Sequence, residues 1–466
     1  MKSFLLALLL VAVSAGAGAE SPTLPGTAQV RVEITRRGSE WTADYEFDRE
    51  SPVWVFPRTD VTREDQIEWR PLSWTVETRG VRLERRGFYD ALTARGKVPK
   101  RVRIRFTPFT KGLRADYTPA LQFTDGSVAL YVAHFETFPM ASVREVKALP
   151  SDLNNQYVPD AKLQYVLRDA AGPVWLRGKR WPVATTDDKN TYVFFGNLQP
   201  LETPAMVGFI DPQLPERIRG SLSQSIPDIL GRYTQELGPP PGMKPTIMLS
   251  WAGPTPGITS RAGSVLPGLI VLTYEGVGVL SEDESARIEG LQFIAHEAAH
   301  FWLGQTVAYE YARDAWITEG GADLLAMRLT ALEHPAYDWH ADFNKAIEDC
   351  VNLTRKRGIE SARERGENRA YYACGAVFGL IAESASGRSF FTFVKRIVDA
   401  NRADGIVTRA EWLAALDAAS RKPEFSRDIA RMLDRGVSDP KAFIASLFER
   451  AGVSHDVDAQ GMPFLP

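Results

Sequence analysis

Histidine and cysteine are scarce in this chain, six of the first and two of the second in 466 residues. The two cysteines, Cys350 and Cys374, either pair in an oxidising compartment or remain buried free thiols, because sequence alone does not give their Cα separation. Charge of one sign is also missing. A formal net charge of −3 leaves no basic footprint and excludes nucleic acid as a partner. Beyond residue 19 no run approaches the roughly twenty apolar residues that span a bilayer, which excludes a membrane span. Internal repeats and long low-complexity tracts are absent. Asp404-Gly405 with Glu411 suggests a calcium loop. Counting back from Gly405, however, puts Ala400 and Arg402 where the first and third ligands belong, which excludes calcium. Thr408 and Glu411 read instead as a helix cap.

What is present begins with a leader. Lys2, the apolar run Phe4 to Val13 and the small residues ending Ala17-Gly18-Ala19 predict a secretory signal peptide over 1–19, cleaved before Glu20. No cysteine follows the cleavage site, which excludes lipid attachment there. The expectation is an exported, soluble protein, periplasmic or secreted. About 450 mature residues exceed what one hydrophobic core supports, so more than one domain is expected.

Residues from about 24 to 205 read as strands. Apolar and polar residues alternate in Val30-Arg31-Val32-Glu33-Ile34, in Trp41 to Phe47 and in Arg101 to Phe106, with Pro, Gly and Asp turns between the runs. This predicts an N-terminal all-β domain, a sandwich of two sheets. Arg101, Arg103 and Arg105 belong to one solvated sheet face rather than to a basic patch. After Ile210 the composition changes. Leu214, Ile218, Leu222, Ile229, Tyr233 and Leu237 follow helical spacing up to Gly238, and strands are expected at 246–251 and 269–274 around a Gly/Pro/Ser-rich loop, 252–268.

The chemistry lies in Leu291 to Met327. His296, Glu297 and His300 stand in HExxH spacing, which puts both imidazoles on one helix face, where they can share a metal ion. Glu297 adjoins the first ligand, where a carboxylate reaches a water rather than the metal. Eighteen residues after His300 comes Glu319, in Trp316-Ile317-Thr318-Glu319-Gly320. Two histidines and a glutamate leave one tetrahedral position open, the composition of a catalytic zinc site, so one Zn²⁺ per chain is expected. Asp323, one turn beyond Glu319, is placed to take the free ring N–H of a ligand histidine. Ser281 with Glu284 predicts a capping box opening this helix, and Gly304 is expected to close it. From Asp323 onward the chain reads as helical.

HEAAHFWLG followed by WITEGGA resembles the HExxHxWxG and WxxEG motifs of the aminopeptidase N family of gluzincin metallopeptidases. The resemblance implies a multidomain α+β protein: a β-sandwich domain over 20–208, then a thermolysin-like zincin catalytic domain with a helical C-terminal part over 209–466. It implies peptide substrates and an edge strand along the cleft that pairs with the substrate backbone, for which 269–274 is the candidate. Tyr372, in Tyr371-Tyr372-Ala373-Cys374-Gly375-Ala376, is similar to the family tyrosine that holds the oxyanion, with Cys374 where a lysine is usual. The family's GxMEN glutamate, which binds the substrate amine, has no counterpart here. The chain reads Gly263-Ser264-Val265-Leu266-Pro267, with Leu266 at that position. Glu136, in His134-Phe135-Glu136, falls where the family's β-domain lends a polar side chain to the site, and His134 reads as a structural histidine. Exopeptidase and endopeptidase both remain open. So does a catalytically inactive, zinc-stabilised binding protein of the same fold.

Overall fold

The computed structural model describes residues 27–466 except 152, 154–157, 160, 241, 243, 282 and 423; the leader expected over 1–19 lies outside the described residues. In the first strands the alternation works as expected. Val30, Val32 and Ile34 on Ala28–Arg37, and Trp41, Ala43 and Tyr45 on Glu40–Phe47, turn into one apolar core while the residues between them face outward. Burying one face of each strand is what fixes its register. The expected sandwich is present, with its faces made from three sheets instead of two. A six-stranded sheet includes Ala28–Arg37 paired in parallel with Ala161–Asp169, a four-stranded sheet includes Ser51–Val55, and a five-stranded sheet includes Val128–Tyr131. On the outer face Arg103 meets Asp44 at 2.6 Å, Arg105 meets Glu77 at 2.8 Å and Arg101 meets Glu46 at 3.6 Å, so the arginine row is neutralised.

His134 is buried deep in this region. Its ring lies 5.1 Å from that of Trp69 and 5.3 Å from that of Tyr131, and Nε2–H donates to the Tyr117 carbonyl at 2.9 Å. Burial pushes its pKa from 6.5 down to about 4. The unfolded chain therefore takes up the proton first as pH falls. The neutral ring's contribution is fully present above pH 6.5 and is lost as pH drops through 4, about 3 kcal/mol in all. Melts between pH 7 and pH 4 should show His134→Gln, which keeps a donor but cannot titrate, losing less stability than wild type. Parallel pH curves for the two proteins would rule this out.

A second mixed sheet carries the site. Its strand order is Leu201–Glu202, Val207–Ile210, Thr246–Trp251, Leu269–Glu275, Ser260–Leu266. The division expected at 208/209 thus falls inside this sheet's second strand, which pairs in parallel with 246–249. Asp211, fully buried at the end of that strand, accepts from Thr124 N at 2.9 Å and from Trp251 N at 3.3 Å, which ties the β region to the sheet. The stretch 252–268 is not all loop. Ser260–Leu266 is a strand, antiparallel to Leu269–Glu275 through a two-residue turn at Pro267-Gly268. It stands at the edge of the sheet, so the edge strand is Ser260–Leu266 and not 269–274, which is flanked on both sides.

Helix Glu216–Leu237 packs Leu222, Ile226 and Tyr233 into the core and stops at Gly238, whose φ of 87° only glycine adopts readily. It holds helix Glu284–Ala299, which carries His296. Tyr233 donates to the Ala295 carbonyl at 3.0 Å, one residue ahead of His296, and the Trp302 indole N–H donates to Gly238 O at 2.8 Å. The expected capping box is not formed. The helix begins after Asp283 with no side-chain cap, the Ser281 hydroxyl bonds Asp283 instead, and Glu284 pairs with Arg287. Nor does this helix run to Gly304; it ends at Ala299, with His300 as its C-cap. Helices follow at Trp316–Glu333, Trp339–Thr354, Arg369–Ser386 and on to Pro440–Ala451, and Thr408 with Glu411 does form a capping box. Cys350 and Cys374 are joined in a disulfide with a Cα separation of 4.9 Å, which resolves the alternative left open by the sequence.

Candidate metal centre

His296 lies in the last turn of Glu284–Ala299, with His300 just past it, and Glu319 opens the second ligand helix, Trp316–Glu333. The two Nε2 atoms are 3.2 Å apart, and Glu319 Oε2 stands 3.6 Å from His296 Nε2 and 3.5 Å from His300 Nε2. Donors bound tetrahedrally to zinc at its usual N and O distances lie about 3.3 Å from one another, so this triangle fits the ion. The tautomers agree with that. His300 Nδ1 faces the Leu303 carbonyl at 2.8 Å, and His296 Nδ1 faces Asp323 Oδ1 at 2.8 Å; both outer partners are acceptors, so in the neutral rings that bind a metal both Nε2 lone pairs aim inward. Glu319 Oε2 is buried without a hydrogen-bond partner, as are both oxygens of Glu297, and acceptors stranded in this way call for a ligand.

Electrostatics divide the two glutamates. Burial works against Glu319, but His300 and His296 hold its pKa down at about 2. For Glu297 burial prevails over the same two histidines and raises the pKa above the usual carboxylate range. At His296 burial disfavours the charged ring, but Asp323 and Glu319 outweigh it and hold the pKa well above 6.5. The tyrosine of helix Arg369–Ser386 completes the group. Tyr372 stacks its ring 5.7 Å from that of His296, and burial, with the nearby Glu319, Asp323 and Glu297, raises its pKa well above 10, which keeps the phenol protonated.

Three glycines bring the surrounding elements close. A Cβ on Gly263 would sit 3.1 Å from the Glu297 carboxyl carbon and 2.8 Å from the Phe293 ring, so only glycine lets the edge strand approach Glu297 this closely. Gly320 and Gly375 meet backbone to backbone where the second ligand helix crosses the tyrosine helix; a Cβ on either would fall within 2.9 Å of the other's backbone.

His296, Glu297, His300, Glu319, Asp323, Tyr372 and Gly263 are therefore brought together, and two expected members are not. Leu266 is 5% exposed in an apolar cluster with Tyr117, Tyr131, Phe209 and Val271, so its side chain does not line an amine subsite. A glutamate placed there would bury an unpaired charge. Glu136 is bound to Lys189 Nζ at 2.6 Å within the β region. The sequence reading missed Tyr117, whose hydroxyl donates to the Val265 carbonyl of the edge strand at 3.4 Å, and Arg369, which binds Asp323. No local motif marks either one.

No family model and no curated protein matches the chain by sequence. Among solved structures it is similar to an aminopeptidase N family protein from Idiomarina loihiensis, with a TM-score of 0.62 and 12% identity over 90% of this chain and 78% of that one. It is similar also to native yeast LTA4 hydrolase, with a TM-score of 0.51 and 13% identity over 88% of this chain and 67% of that one. At these identities the likeness is one of fold, and it is the fold expected from the motifs.

Proposed function

We propose that this chain, which has the fold of aminopeptidase N family proteins, is an exported zinc metallopeptidase that hydrolyses peptide bonds and recognises the substrate amine differently from that family. We divide it into a β domain and a catalytic domain ahead of Leu201, where the second mixed sheet begins, in place of the division at 208/209 expected from the sequence. The observation that carries the reading is the donor triangle of 3.2 to 3.6 Å with a partnerless, buried Glu297 beside it.

In this reading His296, His300 and Glu319 hold the ion, and Asp323 fixes the His296 ring. Bound zinc supplies Lewis acidity for the scissile carbonyl and lowers the pKa of the attacking water. Glu297 takes the proton from that water and returns it to the leaving amine. The Tyr372 hydroxyl donates to the oxygen on which charge develops. The open side of Ser260–Leu266, beside Gly263, offers main-chain groups to an extended substrate.

No free carboxylate meets the substrate's N-terminus at the two positions the motifs indicate. Leu266 is packed in the core, and Glu136 is taken by Lys189. Without a charge-assisted contact, worth about 1.5–3 kcal/mol, selectivity for a free amine falls by roughly ten- to a hundredfold. The test is metal analysis of the mature protein, followed by hydrolysis of matched free-amine and N-acetylated peptides. The expected result is about one zinc per chain and cleavage rates within about tenfold of each other for the two peptides. Strong preference for the free amine would refute the altered recognition. A zinc-loaded protein inert to broad peptide libraries would leave the zinc-stabilised binding protein as the function.

A further inference from the structure

The carboxylate behind His296 is held from both sides. Asp323 Oδ1 faces His296 Nδ1 at 2.8 Å, while its other oxygen, Oδ2, lies 3.4 Å from Arg369 Nη1. Arg369 is the first residue of the tyrosine helix, and its Nε sits 2.8 Å from Asp349 Oδ2 on helix Trp339–Thr354. The backbone at Asp349 is anchored. The next residue, Cys350, is bonded to Cys374 on the tyrosine helix, two residues beyond Tyr372. One guanidinium thus joins three helices at the back of the metal centre.

We propose that Arg369 is a positioning residue for the metal: held by Asp349, it grips Asp323 and so fixes the carboxylate that orients His296, which raises zinc affinity without contact with the ion. The proposal rests on the zinc reading above. A carboxylate held by one oxygen swings through a broad χ2 range and carries the imidazole with it. With its second oxygen also in contact, at 3.4 Å from one guanidinium nitrogen, that range narrows. A ligand ring already aimed loses less freedom when the ion binds.

Electrostatics alone predict the opposite sign, which makes the idea testable. A cation this near the site repels a divalent ion. If Arg369 were only a bystander charge or a surface ion pair, neutralising it would leave zinc affinity unchanged or increase it. If it is a brace, neutralising it weakens zinc binding.

The experiment measures zinc affinity of the full chain by competition with a chelator, a readout that does not depend on turnover. Arg369→Gln is expected to weaken zinc binding by about tenfold, the lower end of what removing a direct partner of a ligand histidine does. Asp349→Asn should weaken it by a smaller factor, and Arg369→Lys should recover part of the loss. In an Asp323→Asn background Arg369→Gln should do no further harm, since its effect passes through Asp323. Arg369 is about one-third exposed, so the variants should fold, and melting temperatures check this. If Arg369→Gln proves unstable, Asp349→Asn, which leaves the arginine in place, decides. Unchanged or tighter zinc binding in these variants overturns the proposal, as does a raised KM at unchanged zinc affinity. Wild-type protein that binds no zinc would instead refute the metallopeptidase reading.

Discussion

Glu297→Gln is expected to retain its zinc and lose about 10²–10⁴-fold in turnover, the range for removing a positioned general base. The glutamine fills the same volume, and residue 297 is not one of the three donors whose atoms form the triangle. What disappears is proton acceptance and return. Glu297 is 1% exposed, and neither of its oxygens has a hydrogen-bond partner. Burial raises its pKa, so its affinity for a proton is closer to what catalysis near neutral pH requires. The sign follows directly. In the proposed mechanism the ionised form is the active one, so kcat/KM should fall as pH drops through a value above that of an ordinary carboxylate. Steady-state kinetics and metal analysis on the same preparation check both parts. A glutamine variant within tenfold of wild type would mean that another group carries the proton. A variant without zinc would mean that Glu297 belongs to the metal's own ligand set.

The three clustered donors were legible in the sequence because each lies in a short window. HExxH fixes two rings on one helix face, and the helical spacing around Glu319 places the third donor and Asp323 on one neighbouring helix. What was illegible depends on distant residues. Ser260–Leu266 hides in a Gly/Pro/Ser-rich stretch and becomes a strand by pairing with Leu269–Glu275, which makes it the edge and moves 269–274 into the sheet. Leu266 fell on the expected motif position, but its burial is set by Tyr117 and Tyr131, more than a hundred residues earlier. Glu136 looked available until Lys189, 53 residues on, closed on it. The Ser281 cap failed because Ser281 lies two residues before the true N-cap, Asp283, and binds it instead. The disulfide and the Arg369 bridge join three helices, and nothing local marks either.

The glycine pair at the helix crossing leads to the other large effect. Gly375→Ala should reduce turnover by roughly a hundredfold or more, weaken zinc binding and cost about 1–3 kcal/mol in stability. The added methyl would sit 2.1 Å from the Trp316 carbonyl oxygen and 2.9 Å from Gly320 Cα, and both contacts are backbone, with no flexible side chain to yield. Relieving the first takes a retreat of about 1 Å in an interior packed as tightly as a crystal. The displacement falls on groups of the proposed site on both sides. Trp316 begins the helix that presents Glu319 three residues later, and Gly375 follows Tyr372 by three residues on the same helix face. Separating the two helices therefore moves the proposed metal donor Glu319 and the proposed oxyanion donor Tyr372 together. Gly231→Ala is the matched control: it also adds a methyl to a helical glycine, but with nothing within 4 Å, and it should leave activity intact and raise stability slightly. Wild-type turnover and zinc content in Gly375→Ala would show that the two helices can part without disturbing the site, and that their backbone contact does not set its geometry.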